Sequence, residues 1–161
     1  MFSYGVPLLD RIFYGSRINL LVLGRIDIGK FALEAPYIVI SITDPERPEA
    51  TLQPSPFLRA TLRLSFHDKG KRVKLPELEA IPSADEAEVI MTEQDAEKII
   101  AFVRENLDHV KLIVCQCEAG MSRSAAIAAA ISRMLQGEDE FFFEHYWPNR
   151  WVYQKILEAS Q

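Results

Sequence analysis

The stretch Cys115-Gln-Cys-Glu-Ala-Gly-Met-Ser-Arg-Ser-Ala-Ala-Ile-Ala-Ala-Ala130 decides the reading of this 161-residue chain. It follows the apolar run Lys111-Leu-Ile-Val114, and it ends in residues too apolar for a surface helix. The pattern predicts a buried strand, a short polar loop and a buried helix closed by Gly137. Working outward, Ile18–Gly24 and Ala35–Pro45 read as two further strands. Leu58–Asp68 reads as a third, ending in the polar pair His67-Asp68. Thr92 is a plausible N-cap for a helix whose Ala96, Ile99, Ile100, Val103 and Leu107 make one apolar face. The segment 148–160 reads as an amphipathic helix with Trp151, Ile156 and Leu157 inward. Strands alternating with helices predict a single α/β domain over residues 1–161, with a largely parallel central sheet flanked by helices. Residues 1–17 form an N-terminal extension in this reading, and 69–91 a long loop of the kind that is often functional.

Bulk composition narrows the function. The chain is 48% apolar and 25% charged, with a net charge of −5. That balance argues against broad nucleic-acid or anionic-membrane binding, which needs excess positive charge. No apolar run is long enough to span a bilayer. The first residues lack a basic start, and Asp10 and Arg11 interrupt their apolar stretch, so they do not read as a signal peptide. With two cysteines, a cytoplasmic protein with reduced thiols is expected. Oligomeric state is not legible.

The spacing from Cys117 to Arg123 carries the chemistry. A loop of five residues between a strand and a helix can curl around a tetrahedral anion. The backbone N–H groups of Glu118, Ala119, Gly120, Met121, Ser122 and Arg123 would form the nest, aided by the helix N-terminus. Gly120 supplies positive-φ freedom. Arg123 can bind two phosphate oxygens with its planar fork. Ser124 can hydrogen-bond to a thiolate. Cys117 at the mouth is expected to be a nucleophile at neutral pH. The same nest would stabilise phosphoryl transfer to sulfur, and a carboxylic acid must then protonate the leaving oxygen.

These residues resemble the signature H-C-x-A-G-x-S-R-S of the cysteine-dependent protein tyrosine phosphatases, in their small dual-specificity-like branch. Cys117, Ala119, Gly120, Ser122, Arg123 and Ser124 match, and Gln116 stands where the pattern has His. The chain is also similar to compact bacterial protein tyrosine phosphatases through Ile40-Ser-Ile-Thr-Asp-Pro45, Leu62-Arg-Leu-Ser-Phe-His-Asp68 and Pro148-Asn-Arg-Trp-Val-Tyr153. The resemblance implies metal-free, cofactor-free hydrolysis of phosphotyrosine or phosphoserine/threonine in proteins. A small phosphate ester as substrate, a rhodanese-like sulfur transferase, or a non-catalytic phosphate-binding module are the alternatives. It also implies a general-acid Asp on a loop after a strand. Asp68 fits by context, although it lies 49 residues before Cys117. Asp85 is the alternative, at the family's customary distance.

Other signals read more plainly. Ser41 and Asp44 fall at a strand's carboxyl end, where they would brace the anion loop or line its rim, or else act as turn residues. His67 would line the rim or stand in solvent. His67, His109 and His145 show no metal-ligand spacing. Gly24-Arg-Ile-Asp-Ile-Gly-Lys-Phe31 nearly spells a nucleotide-binding loop, but Phe31 replaces the hydroxyl residue that would meet magnesium. It reads as a strand-to-helix turn. Cys115 reads as a buried strand residue or a backup thiol. Phe141–Trp147 reads as core or as a peptide-binding aromatic surface. Glu118, beside an anion site, is expected to point to solvent.

Overall fold

The structure, a computed structural model, describes residues 18–68 and 88–161. The expected N-terminal extension and most of the long loop, Asp85 included, lie outside the described residues. Four strands form one sheet: β1 (Asn19–Leu23), β2 (Tyr37–Thr43), β3 (Leu58–Ser65) and β4 (Leu112–Gln116). Their order is β1-β4-β2-β3 and every pairing is parallel. Among the described residues five α-helices accompany them: α1 (Arg25–Ile28), α2 (Glu93–Asn106), α3 (Arg123–Gln136), α4 (Glu140–His145) and α5 (Arg150–Ala159). The α/β architecture expected from the alternation is the one observed.

The two central strands explain the continuous apolar runs. All seven residues of β2 and all five of β4 are buried, because both faces of the sheet are covered. Alternate side chains divide between two cores. Ile38, Ile40, Ile42, Ile113 and Cys115 face α2, α3, α4 and α5. Tyr37, Val39, Leu112 and Val114 face a smaller core closed by Ile28, Phe31 and Ala50. The Walker-like stretch is thus α1 and a turn, with Phe31 buried edge-on against Tyr37, ring centroids 5.2 Å apart. The Pro-rich segment 46–57 has no regular structure, yet it supplies Ala50, Leu52 and Phe57 to that second core.

Helix ends follow local chemistry. Thr92 and Asp95 form a reciprocal capping box at α2. Asn149 Oδ1 accepts from Val152 N at 3.0 Å and caps α5. Gly137, at φ +77°, closes α3 in the left-handed region. The aromatic stretch divides: Phe142 is buried, Phe141, Phe143 and Tyr146 pack partly against the core, and Trp147 is 82% exposed. Among the described residues no helix is long and apolar enough to cross a membrane.

Ile40 lies at the centre of β2 and is fully buried. Ile40→Ala is expected to destabilise the fold by about 2–5 kcal/mol, read from the midpoint of a urea titration with unchanged slope.

Candidate active site

Because all four strands run in parallel, the segments that leave β1, β2, β3 and β4 emerge at one edge of the sheet. The loop 117–122 leaves β4 there and is locked against the end of β1. Cys117 N donates to Leu23 O at 3.2 Å, and Arg25 N donates to Glu118 O at 3.0 Å. Gly120 is at φ +73°. A Cβ there would come within 2.5 Å of Gly24 N, and a Cβ on Gly24 within 3.0 Å of Ala119 O. Two glycines from distant parts of the chain let the backbones touch. Gly120 was expected from the sequence; Gly24 was not, since its partner is reached only in three dimensions.

Four carbonyls of this loop are taken by neighbouring groups. Cys117 O accepts from Gln116 Nε2 at 2.9 Å. Glu118 O accepts from Arg25 N, Met121 O from Trp147 N at 3.0 Å, and Ser122 O from Asn149 N at 3.0 Å. In a trans peptide the N–H points opposite to the preceding C=O. The N–H groups of Glu118, Ala119, Ser122 and Arg123 are therefore turned away from those four partners. Among the described residues, no backbone N–H from Glu118 to Arg123 donates to a backbone carbonyl. Helix α3 adds its own first-turn donors. Ser122 stands at its N-cap but makes no capping bond, and the first turn contains no acidic residue. The Ser122 hydroxyl is used elsewhere: it donates to Asp68 Oδ1 at 2.8 Å.

The candidate functional side chains lie on this loop and at the start of α3. Cys117 Sγ and Ser124 Oγ are 3.1 Å apart, and both residues are buried. Arg123, 5% exposed, turns back beneath the loop. Its Nη1 donates to Asp44 Oδ1 and to Phe66 O, each at 2.7 Å. Its buried Nε has no hydrogen-bond partner among the described residues. Asp44 and the end of β3 thus anchor one corner of the guanidinium while Nε, on the opposite edge, stays unsatisfied. Such a buried donor is costly unless a ligand accepts from it.

Asp68 is brought to the loop. Its Oδ1 accepts from both Ser122 Oγ and Asn149 Nδ2, the latter at 2.7 Å. Fully buried Asn149 therefore joins three things: the cap of α5, the Ser122 carbonyl and the Asp68 carboxylate. Sequence reading missed it, because a Pro-Asn pair before a helix looks like an ordinary cap.

Ser41 and Gln116 lie below the loop, not on its rim. Ser41 Oγ donates to Gln116 Oε1 at 2.5 Å, and Arg63 Nη1 reaches Ser41 Oγ at 3.4 Å. The amide that replaces His in the signature is thereby oriented to hold the Cys117 carbonyl. His67 bonds Glu46 Oε1 at 2.8 Å and Val89 N at 3.0 Å, tying neighbouring segments together instead of reaching the loop. Glu118 does not point to solvent as expected. Arg25 grips it with Nε at 2.8 Å and Nη2 at 2.7 Å, and Arg47 Nη1 lies 3.3 Å away. The hydrogen bonds from Arg25 hold its carboxyl below the ordinary carboxylate range. Cys115 is fully buried, and burial first, then the neighbouring Cys117, pushes its thiol well above the ordinary value. Among the described residues no group of three or more His, Cys, Asp or Glu could hold a metal ion.

With this geometry the molecule can be set beside known proteins. No model of a known protein family matches the sequence, and no curated protein matches it. Among solved structures it is similar to human DUSP28, at 16% identity over 88% of this chain and 90% of that one, with a TM-score of 0.54. It is similar also to PTPMT1, at 17% identity over 88% and 89% of the two chains, with a TM-score of 0.52. The fold is that of the small dual-specificity-like phosphatases, as the resemblance of the signature implied.

The nest depends on glycine at 120. Gly120→Ala is expected to weaken orthovanadate binding more than tenfold, because a Cβ must displace the backbone of Leu23 and Gly24. Gly137→Ala shares the positive φ but has nothing within 4 Å, so it should cost only about 1 kcal/mol of stability and leave vanadate binding intact. Calorimetric titration of both variants checks the contrast.

Proposed function

We propose that this protein is a metal-independent phosphomonoester hydrolase acting through a phosphocysteine intermediate, on phosphotyrosine or phosphoserine/threonine in proteins. One observation carries the reading: beside a buried cysteine and an arginine with an unsatisfied Nε lies a loop in which the carbonyls of Cys117, Glu118, Met121 and Ser122 are engaged by neighbouring groups. A tetrahedral dianion would complete that arrangement.

In this mechanism Cys117 Sγ attacks phosphorus in line with the leaving oxygen. The loop N–H groups and the free edge of Arg123 take the non-bridging oxygens, over which the charge of the transferring group is spread in the transition state. As the P–O bond breaks, Asp68 gives its proton to the leaving oxygen and the alcohol or phenol departs. Ser122 and Asn149 hold the Asp68 carboxyl at the loop by their hydrogen bonds to its Oδ1. Water then attacks the phosphocysteine with Asp68, now ionised, accepting its proton. The P–S bond breaks, phosphate leaves, and the Ser124 hydroxyl, 3.1 Å from sulfur, donates to the thiolate. Asp44 and the Phe66 carbonyl keep Arg123 aimed throughout.

Hydrolysis of p-nitrophenyl phosphate in EDTA with reductant tests the reading. Wild type is expected to be active and Cys117→Ser inactive. A folded wild type that binds vanadate yet does not turn over would instead be a phosphate-binding module. For the acid, a phosphomonoester with a poor leaving group is the sharper substrate. Asp68→Asn is expected to lower kcat by about 10²–10⁴ and to flatten the alkaline limb of the pH–rate profile. An unchanged rate and limb would remove Asp68 from the mechanism. Asn149→Ala is expected to lower kcat with little change in KM, since it frees Asp68 without touching the nest.

A further inference from the structure

A carboxylate one residue from the nucleophile is out of place beside a bound dianion, unless its charge serves another purpose. Glu118 has two basic partners, and they come from two other segments at the same sheet edge. Arg25 follows β1, donates twice to the carboxylate and also donates to Pro48 O at 2.5 Å. Arg47 follows β2, is half exposed, and makes a single contact with Oε1 at 3.3 Å. The Glu118 side chain is 15% exposed, so it is enclosed by these partners.

Charge pairing recurs among the neighbouring basic groups. Arg123 meets Asp44 at 2.7 Å, Arg63 meets Glu49 at 3.8 Å, and His67 meets Glu46 at 2.8 Å. Each of these basic groups at the carboxyl edge has a carboxylate beside it. Large apolar side chains stand exposed on the same segments: Ile26 next to Arg25, Met121 within the loop, Trp147 bonded through its backbone to Met121, and Val89 bonded to His67.

We propose that Glu118 is a specificity-determining residue, which offsets part of the charge of Arg25 and Arg47 so that the site favours a single phosphate on an uncharged, apolar carrier over substrates with a second phosphate. The inference rests on the phosphate-binding reading of the loop and names the substrate class within it. A second phosphate beside the nest would approach Arg25 and Arg47 but also meet the Glu118 carboxylate. That repulsion offsets much of the attraction of the cations. An aryl phosphate has no second charge, and its carrier meets the apolar residues of the rim.

The test is a binding comparison that needs no turnover. Inorganic phosphate and myo-inositol 1,4-bisphosphate are titrated calorimetrically into wild type, Glu118→Gln and the double variant Glu118→Gln/Arg47→Ala. Gln keeps the size of the side chain and one acceptor for Arg25, and removes the charge. In wild type the second phosphate is expected to improve affinity less than twofold. In Glu118→Gln the ratio of the two affinities should rise about fivefold to tenfold, the effect of one screened charge at close range. Adding Arg47→Ala should remove most of that rise. An unchanged ratio in Glu118→Gln, or a rise that survives loss of Arg47 in full, overturns the proposal. Failure to hydrolyse p-nitrophenyl phosphate with these ratios intact would overturn the catalytic reading and leave the selectivity standing.

Discussion

The planarity of the peptide bond is the constraint on which this site depends. A short loop cannot bury its carbonyls and its N–H groups on the same side. Here neighbouring segments take the carbonyls: the Gln116 amide from below, Arg25 after β1, and Trp147 and Asn149 before α5. Those four bonds commit the N–H groups to the other side, where an anion can collect them. In the proposed reading, phosphate affinity would thus be built into the backbone by groups that need never touch phosphate. The N-cap serine of α3 reinforces the arrangement by bonding Asp68 in place of the helix it precedes.

The parallel sheet makes that convergence feasible. Four strand ends at one edge supply Gly24, Asp44, Phe66 and Cys117 within reach of each other, from positions spread along the chain. The close approach of Gly24 and Gly120 sets the loop on the end of β1. The salt bridge from Asp44 and the carbonyl of Phe66 place the Arg123 guanidinium, which would otherwise be a buried charge without compensation. Packing and chemistry are difficult to separate here, since the residues that fill the edge of the core also aim the reactive groups.

Much of this was legible in the sequence because its signals are local. The apolar runs of β2 and β4, the capping box at Thr92 and the Gly137 stop each lie within a few residues. So does the Cys-to-Arg spacing, and Cys117 Sγ and Ser124 Oγ lie within hydrogen-bond reach of each other. Less legible were features made by contacts between distant segments. Glu118 looked solvated because Arg25 lies 93 residues earlier in the chain. Asn149 was not singled out because its bond to Asp68 spans 81 residues. Ser41 could have been rim or brace from its position alone; burial beneath Gln116 makes it a brace. Asp44 was read with the same ambiguity, which the bond to Arg123 resolves. The aromatic run was left between core and surface, and adjacent residues of a short helix and its exit divide between core and solvent.

The central claim is that the backbone of the loop after β4 is an anion receptor. Amide NMR of the Cys117→Ser protein, titrated with inorganic phosphate, tests it most directly. The account predicts that the amides of Glu118, Ala119, Gly120, Met121, Ser122 and Arg123, together with the Arg123 Nε–H, shift together with a single binding curve. Shifts confined to other segments, or none at phosphate concentrations that saturate the protein by calorimetry, would contradict it.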